Sequence, residues 1–232
     1  MNRKEQEKTI ASYTGRVLRE QFGKGPEAVY VTVAPPYITI YLRNFLSPLE
    51  KTIMEEKNEH SVYQLRDNVM KRVLPELQAY VHKITGIYLK DIYYDWELPN
   101  RSGLMAGTSF TAEALKERQP EGEEADVLEL VAAHTEVKPQ RTAYRKVNQR
   151  TFLVYREECL LQAEMELIRL GFGETLKQAK REVEKKRFYE SEPFLSLFDG
   201  KVENVFIDWN FEKNTSMIVV VTNNNRSLSI ME

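Results

Sequence analysis

The apolar residues near the start of the chain are spaced as on one face of a helix between residues 5 and 22. They are Ile10, Tyr13, Val17, Leu18 and Phe22. Gly23 and Gly25 follow at once and Pro26 comes next, which is the residue order expected where a helix ends. This segment therefore predicts an amphipathic helix with a defined end.

Two runs of β-branched and aromatic residues come next, AVYVTVA at residues 28–34 and YITIYLR at residues 37–43. Pro35-Pro36 separates them and cannot donate backbone hydrogen bonds, so the two runs predict a β-hairpin with a proline turn. Ser47 then suits the N-cap of a helix, and Pro48 suits its first position. A second helix is therefore predicted to begin at Pro48.

A long amphipathic helix is predicted from Ser61 to Ile84, where apolar residues recur every three or four positions. Pro75 lies inside it and is expected to kink it, because proline removes one backbone hydrogen bond. Two strands, Tyr88 to Glu97 and Leu104 to Phe110, complete the order α-β-β-α-α-β-β.

The second half of the chain repeats these kinds of element with weaker turn signals. Helices are predicted at residues 125–134, 157–172 and 174–189, and strands at residues 144–147, 150–156, 201–211 and 216–222. The prediction is an α+β protein of two related modules, each a small antiparallel sheet with helices on one face. The modules are expected at residues 1–112 and 125–232, with a linker at 113–124 and a loose C-terminal tail.

A sequence repeat supports the two-module prediction. The segment GIYLKDIYYDW, which ends at Trp96, aligns with DGKVENVFIDW, which ends at Trp209, at an offset of about 113 positions. The same offset places Arg43 against Arg156. A duplicated fold is more typical of a binding or scaffold protein than of an enzyme with one cleft.

Four residues are candidates for a ligand or partner contact. Arg43 and Arg156, at strand ends predicted to match, are the best candidates for a shared anion or partner contact. Asp95 and Asp208 directly precede the tryptophans and are expected on the opposite face of the strand, as turn partners, cross-strand partners or half of an ion site. The two tryptophan rings are expected in the interior, where their area contributes most to stability.

The sequence favours neither an enzyme nor a metalloprotein. His60, His82 and His134 are far apart and lack the spacing of a zinc site, so no metal is predicted. Cys159 has no local catalytic partner and is interpreted as a buried structural thiol. No catalytic residue and no cofactor are predicted.

Composition narrows the class of protein. Of the 232 residues 42% are apolar and 29% are charged, which is ordinary for a soluble globular protein. A net charge of -2 produces no strong positive potential that would attract nucleic acid or an anionic membrane. No segment is apolar and long enough to span a membrane. One cysteine and a polar start, MNRKEQEKTI, favour a cytoplasmic location.

The basic residues of the second half are interpreted mainly as solvated surface. They fall in two groups, within residues 141–150 and within residues 177–187, and glutamates interleave the second group. The alternative is a docking patch for an acidic partner or for lipid headgroups. Sequence-specific nucleic-acid binding is not expected, because no reading motif accompanies the charge.

The first half resembles the MpsC-like family in three segments. They are the Gly-basic-Gly-Pro turn at residues 23–26, the helix start Leu46-Ser47-Pro48-Leu49-Glu50, and Thr85-Gly86 at the end of the long helix. The resemblance covers roughly residues 3 to 110. The second half looks like a diverged copy, since it lacks the Ser-Pro start and the Gly-Lys-Gly-Pro turn.

The resemblance implies a soluble bacterial protein associated with a sodium-coupled membrane system that takes up inorganic carbon and generates membrane potential. Together with the duplication, it favours a non-catalytic cytoplasmic accessory or regulatory protein. A protein partner such as a membrane transporter subunit is expected, and a homo-oligomer or a peripheral position at the inner face of the membrane are open alternatives. The alternative function is a sensor that binds a small ligand or an anion at the module interface.

Overall fold

The chain divides into two units, Met1–Thr111 and Ala112–Glu232. The computed structural model describes residues 1–109, 120–198 and 200–223. The predicted strand end at Phe110, most of the predicted linker and the predicted loose tail from residue 224 onward lie outside the described residues.

The first unit has the predicted order of elements. It contains α1 (Arg3–Phe22), β1 (Ala28–Ala34), β2 (Tyr37–Arg43), α2 (Pro48–Glu55), α3 (Glu59–Thr85), β3 (Asp91–Glu97) and β4 (Ser102–Thr108). Its four strands form an antiparallel sheet in the order β1-β2-β4-β3. Alternate residues of each strand share one apolar core with α1 and α3, so this face of the sheet carries the helices.

Local sequence signals set the ends of these elements. Gly23 and Gly86 end α1 and α3 in the left-handed conformation, with φ of +73° and +74°, which glycine adopts without steric cost. The β1–β2 hairpin turns at Pro35-Pro36, as predicted. The helix α3 continues through Pro75 at an exposed position, where water can satisfy the carbonyl that proline leaves without a donor.

The second unit has the same strand order with more helical segments. It contains α4 (Glu123–His134), β5 (Arg141–Asn148), β6 (Thr151–Glu157), α5 (Gln162–Arg169), α6 (Gly173–Glu190), α7 (Glu192–Ser196), β7 (Lys201–Asn210) and β8 (Thr215–Asn223). Its antiparallel sheet has the order β5-β6-β8-β7, which corresponds strand for strand to the first sheet. Both units are therefore α+β, and their architecture confirms the predicted fold class.

One predicted helix of the second unit is shorter than expected. The sequence predicts a helix over residues 157–172, but Glu157 is the last residue of β6 and α5 begins only at Gln162. Glu158 takes a φ of +54°, a left-handed conformation that directs the chain out of the strand before the helix begins. The apolar residues Cys159 and Leu160 belong to this connection and are buried there.

Candidate functional site

A buried ion pair lies at the centre of the first unit. Arg66 donates from Nε to Glu50 Oε1 at 2.8 Å and from Nη2 to Glu50 Oε2 at 3.1 Å, and both side chains are 0% exposed. Nη2 also donates to the carbonyl oxygen of Phe45 at 2.8 Å. The guanidinium carbon lies 4.4 Å from the ring centroid of Trp96, a cation–π distance.

The start of α2 explains why Glu50 is in this place. Ser47 is the N-cap, and its hydroxyl accepts from the N–H of Glu50 at 3.3 Å. Glu50 Oε2 accepts in return from the N–H of Ser47 at 2.7 Å. The motif is a capping box, so the same carboxylate caps a helix and pairs with an arginine.

The surroundings of Glu50 keep it ionised. Burial acts to raise the pKa of Glu50, but the hydrogen bonds and positive charge of Arg66, together with the groups of Ser47, outweigh burial and hold the pKa below its ordinary value. The ion pair is thus satisfied from several sides, which a buried pair needs in order to offset desolvation.

The second unit contains the same arrangement. Lys180 donates to Glu164 Oε1 at 2.6 Å, and Glu164 Oε2 accepts from the N–H of Leu161 at 2.9 Å at the start of α5. The ammonium nitrogen lies 5.7 Å from the ring centroid of Trp209. Each unit therefore has one acid-base-Trp cluster, defined as Glu50, Arg66 and Trp96 in the first unit and as Glu164, Lys180 and Trp209 in the second.

The sequence interpretation missed both acid-base pairs. Acid and base are 16 positions apart in each unit. The sequence signal that could have identified the pairs is the match of LSPLE at residues 46–50 to LLQAE at residues 160–164. These residues are offset by 114 positions, whereas the tryptophans are offset by 113. An alignment at the single offset of 113 therefore matches the two tryptophans and does not match the acid-base pairs. Both tryptophans are buried, at 1% and 2% exposure, which confirms their predicted interior position.

The predicted match of Arg43 with Arg156 is wrong by one residue. Arg156 lies opposite Ser216, and Ser216 lies opposite Trp209. In the first sheet Gly103 lies opposite Trp96, and its partner on the other side is Leu42. The position equivalent to Arg156 is therefore Leu42, because β5 contains one extra residue, Val147, at a bulge between Lys146 and Asn148.

The two arginines also have different surroundings. Arg43 is half exposed and pairs with Glu27 at 3.1 Å. Arg156 is fully buried, lies 2.9 Å from Glu184 Oε2, and donates from Nε to Ser216 Oγ at 2.6 Å. The charge of Arg156 is thus balanced inside the protein, and an anion would have to displace Glu184 to reach it.

The two candidate aspartates are both buried. Asp95 Oδ1 accepts from the N–H of Trp96 at 2.7 Å. Asp208 Oδ1 lies 3.0 Å from the Lys177 ammonium and 3.4 Å from Arg181. Arg181 also donates from Nε to the carbonyl oxygen of Ile207 at 3.1 Å, so these contacts fasten α6 to the strand β7.

The interpretation of the second basic group as solvated surface is only partly correct. Lys180, Arg181 and Lys185 on α6 are buried, at 6%, 4% and 9% exposure. Lys180 and Arg181 have a carboxylate partner inside the unit, which makes their burial tolerable. The exposed members include Lys186, which pairs with Glu190 on the same helix at 3.8 Å.

The thiol of Cys159, the possible metal ligands and one small cavity complete the description of the site. Burial raises the pKa of the Cys159 thiol, so the thiol is protonated at neutral pH. Among residues 1–109, 120–198 and 200–223, no group of three or more His, Cys, Asp or Glu could hold a metal ion. A cavity between the first sheet and α3, lined by residues such as Ile40, Leu77 and Met105, has a volume of about 10 Å³, room for about one water molecule.

An exposed apolar surface lies on the helix α5 and the turn that follows it. We call it the apolar α5 surface. It consists of Leu161, Met165, Leu167, Leu170 and Phe172, which are 44%, 45%, 40%, 55% and 55% exposed. Five large apolar side chains thus face outward within twelve consecutive residues.

Comparisons with known proteins give one family and no individual relative. No curated protein and no solved structure matches the chain. No helix in the described part of the chain has the length and apolar character needed to cross a membrane. Residues 2–108 match the family described as "Na+-translocating membrane potential-generating system (MpsC)". The first unit therefore matches the MpsC family, and the second unit, which has the same strand order and its own acid-base-Trp cluster, has the features expected of a diverged copy.

Proposed function

We propose that this protein is a non-catalytic accessory or regulatory component of a sodium-coupled membrane system. It acts on the cytoplasmic side by binding a membrane-embedded subunit, in a system for inorganic-carbon uptake of the kind that the family resemblance implies. The family description of the first unit supports the link to a Na⁺-translocating system. The charged groups in each unit interior support a non-catalytic role, because they form ion pairs and backbone contacts with their own unit.

The apolar α5 surface is the observation on which this proposal depends. Single exposed apolar side chains are normal, whereas a contiguous group of them marks an interaction site. Leu161 and Met165 are four positions apart and lie along one side of α5, and Leu170 and Phe172 are exposed in the turn that directly follows. A short helix that presents leucine, methionine and phenylalanine outward suits the centre of a protein interface.

Affinity purification tests the proposal. The tagged full-length chain is produced in its natural host, the membranes are solubilised in mild detergent, and the integral membrane proteins that co-purify are quantified by mass spectrometry. We expect at least tenfold enrichment of a subunit of a sodium-coupled transport system over a tagged unrelated protein of similar size. The proposal fails if no integral membrane protein is enriched.

A ligand titration separates this function from the sensor alternative. Under the proposal, bicarbonate and phosphate leave the melting temperature of the purified protein unchanged. A ligand present at 100 times its dissociation constant would add about 2.7 kcal/mol to the free energy of unfolding, which a thermal shift detects. A saturable increase that disappears in Arg43→Ala would favour the sensor.

A further inference from the structure

The equivalent helices α2 and α5 differ at several positions near the surface. The helices α2 and α5 both have eight residues, begin 114 positions apart and place a glutamate at the third position. At four exposed positions of the second unit, an apolar residue stands where the first unit has a polar one, whereas the exposed Leu49 of α2 is replaced by Ala163. The pairs are Ser47 and Leu161, Lys51 and Met165, Glu56 and Leu170, and Asn58 and Phe172.

These replacements do not serve the fold of the second unit. Ser47 caps α2 through its hydroxyl, whereas Leu161 at the N-cap of α5 has no side-chain acceptor and is 44% exposed. Leu170 and Phe172 are each 55% exposed, so their apolar area stays in contact with water. A missing helix cap and exposed apolar side chains both lower stability. Such departures are expected mainly at functional sites.

The exposed charged residues in the segment of the apolar α5 surface are predominantly acidic. Between residues 158 and 174 the exposed charged side chains are Glu158, Glu166, Arg169 and Glu174. The one arginine among them forms an ion pair with Glu166. The segment that carries the exposed apolar residues thus has an excess of negative charge.

We propose that the apolar α5 surface binds a Lys/Arg-rich amphipathic segment at the cytoplasmic end of a membrane-spanning helix of an integral membrane subunit. This inference rests on the proposed function and names its binding surface and the chemistry of its partner. Integral membrane proteins concentrate Lys and Arg in the cytoplasmic segments next to their membrane-spanning helices. The apolar face of such a segment packs against Met165 and Phe172, and its cations meet the surrounding glutamates.

The same charges disfavour the other two occupants. An anionic bilayer attracts basic surface segments, and it repels a surface on which Glu158 and Glu174 are exposed. A second copy of this chain, joined through the same surface, would bring two acidic surfaces together, because a twofold interface pairs a surface with itself.

A variant carrying the residues of the first unit tests the inference. Met165→Lys, Leu170→Glu and Phe172→Asn are introduced together into the full-length chain, and the amount of the co-purified membrane subunit is measured as above. We expect at least a tenfold loss, with an unchanged circular dichroism spectrum. The matched control removes exposed apolar area from the first unit, as Leu49→Lys with Tyr88→Asn, since these side chains are 64% and 60% exposed. It is expected to co-purify the subunit like the parent protein.

Two further measurements identify the occupant. Glu158→Lys with Glu174→Lys should weaken co-purification at least fivefold at low salt, and much less at high salt. A photo-crosslinking amino acid at position 172 should form an adduct with a Lys/Arg-rich segment of the membrane subunit, mapped by peptide mass spectrometry. Crosslinks to a second copy of the chain, or binding to phosphatidylglycerol vesicles that the triple variant loses, would overturn the inference.

The outcomes separate this inference from the proposed function. If the parent chain and the triple variant co-purify the membrane subunit equally, the proposed function stands and the apolar α5 surface is not the site. If the parent chain co-purifies no membrane subunit, the proposed function fails and the inference fails with it.

Discussion

Arg66 joins three parts of the first unit at one point. It contacts the acid of α2, the carbonyl oxygen of Phe45 in the preceding connection, and the ring of Trp96 on β3. We expect Arg66→Met to lower the free energy of unfolding by about 3–5 kcal/mol, because it leaves Glu50 buried without a counter-charge. Urea denaturation followed by the fluorescence of Trp96, in a Trp209→Phe background, measures this loss.

The second unit supplies the control for this change. Lysine pairs with the equivalent glutamate there, so Arg66→Lys should keep the charge and one hydrogen bond to Glu50. It should lose the second bond to Glu50, the bond to the Phe45 carbonyl and part of the cation–π contact. We expect a loss of about 1–2 kcal/mol, smaller than that of Arg66→Met. Equal losses in the two variants would show that the shape of the guanidinium matters at this position and its charge does not.

Glu50 should make the stability of the first unit depend on acid pH. Its folded-state pKa is lowered from 4.5, so its contribution is fully present above pH 4.5 and is lost as pH falls through the lower folded-state value. The melting temperature, measured between pH 3 and pH 7, should therefore decrease below about pH 4.5. Glu50→Gln should be less stable at pH 7 and show a flatter dependence below pH 4.5; a dependence as steep as that of the parent would assign it to other acids.

The Cys159 thiol should react slowly in the folded protein. Burial raises its pKa and limits access by reagents. At pH 8 we expect labelling by a disulfide reagent at less than a hundredth of the rate observed in 8 M urea, measured by absorbance. Fast labelling without urea would place this thiol at the surface. The sequence predicted its burial from the absence of a partner, whereas its position in the connection after β6 required the structure.

At the scale of single elements, the sequence predicted most strands and helices because their periodicity is local. The helix prediction failed at Glu157–Glu158, because acidic residues before an apolar run resemble the start of a helix. In the folded chain Glu157 is paired with Arg141 at 2.6 Å as part of the β5–β6 ladder. Such a cross-strand pair depends on the register between two separate strands. It therefore cannot be predicted from the periodicity of one segment.

The N-cap of α5 should be a point at which the second unit can be stabilised. Leu161→Ser restores the hydroxyl that caps α2 in the first unit, and we expect a gain of about 1 kcal/mol in the free energy of unfolding. The reverse change, Ser47→Leu, should cost about the same amount in the first unit. Urea denaturation of both variants checks this pair, and a loss of stability in Leu161→Ser would show that the leucine packs productively within its own unit.

At the scale of the whole molecule, the duplication explains which parts of each unit can change. The strand order and the acid-base-Trp cluster are present in both units, whereas the interior beside the cluster has diverged. The first unit has Leu42 and Met70 in its apolar core. The equivalent positions of the second unit hold Arg156 and Glu184, a buried ion pair.

This divergence predicts that the two charged residues of the second unit can be exchanged only together. Arg156→Leu or Glu184→Met alone leaves one buried charge without its partner and should cost about 3–5 kcal/mol. The double variant restores the apolar pair of the first unit, and replacement of a buried ion pair by apolar residues is commonly neutral or stabilising. We expect its free energy of unfolding to lie within about 1 kcal/mol of that of the parent, since only the hydrogen bond of Arg156 to Ser216 is additionally lost.

A double-mutant cycle measured by urea denaturation gives the coupling energy between Arg156 and Glu184. A double variant that loses the sum of the two single losses would show that neither residue depends on the other. In that case the first unit would not be a valid reference for the interior of the second. A double variant as stable as the parent would show that the interior of the second unit accepts the apolar pair of the first, so that the fold does not require this part of its core to be charged.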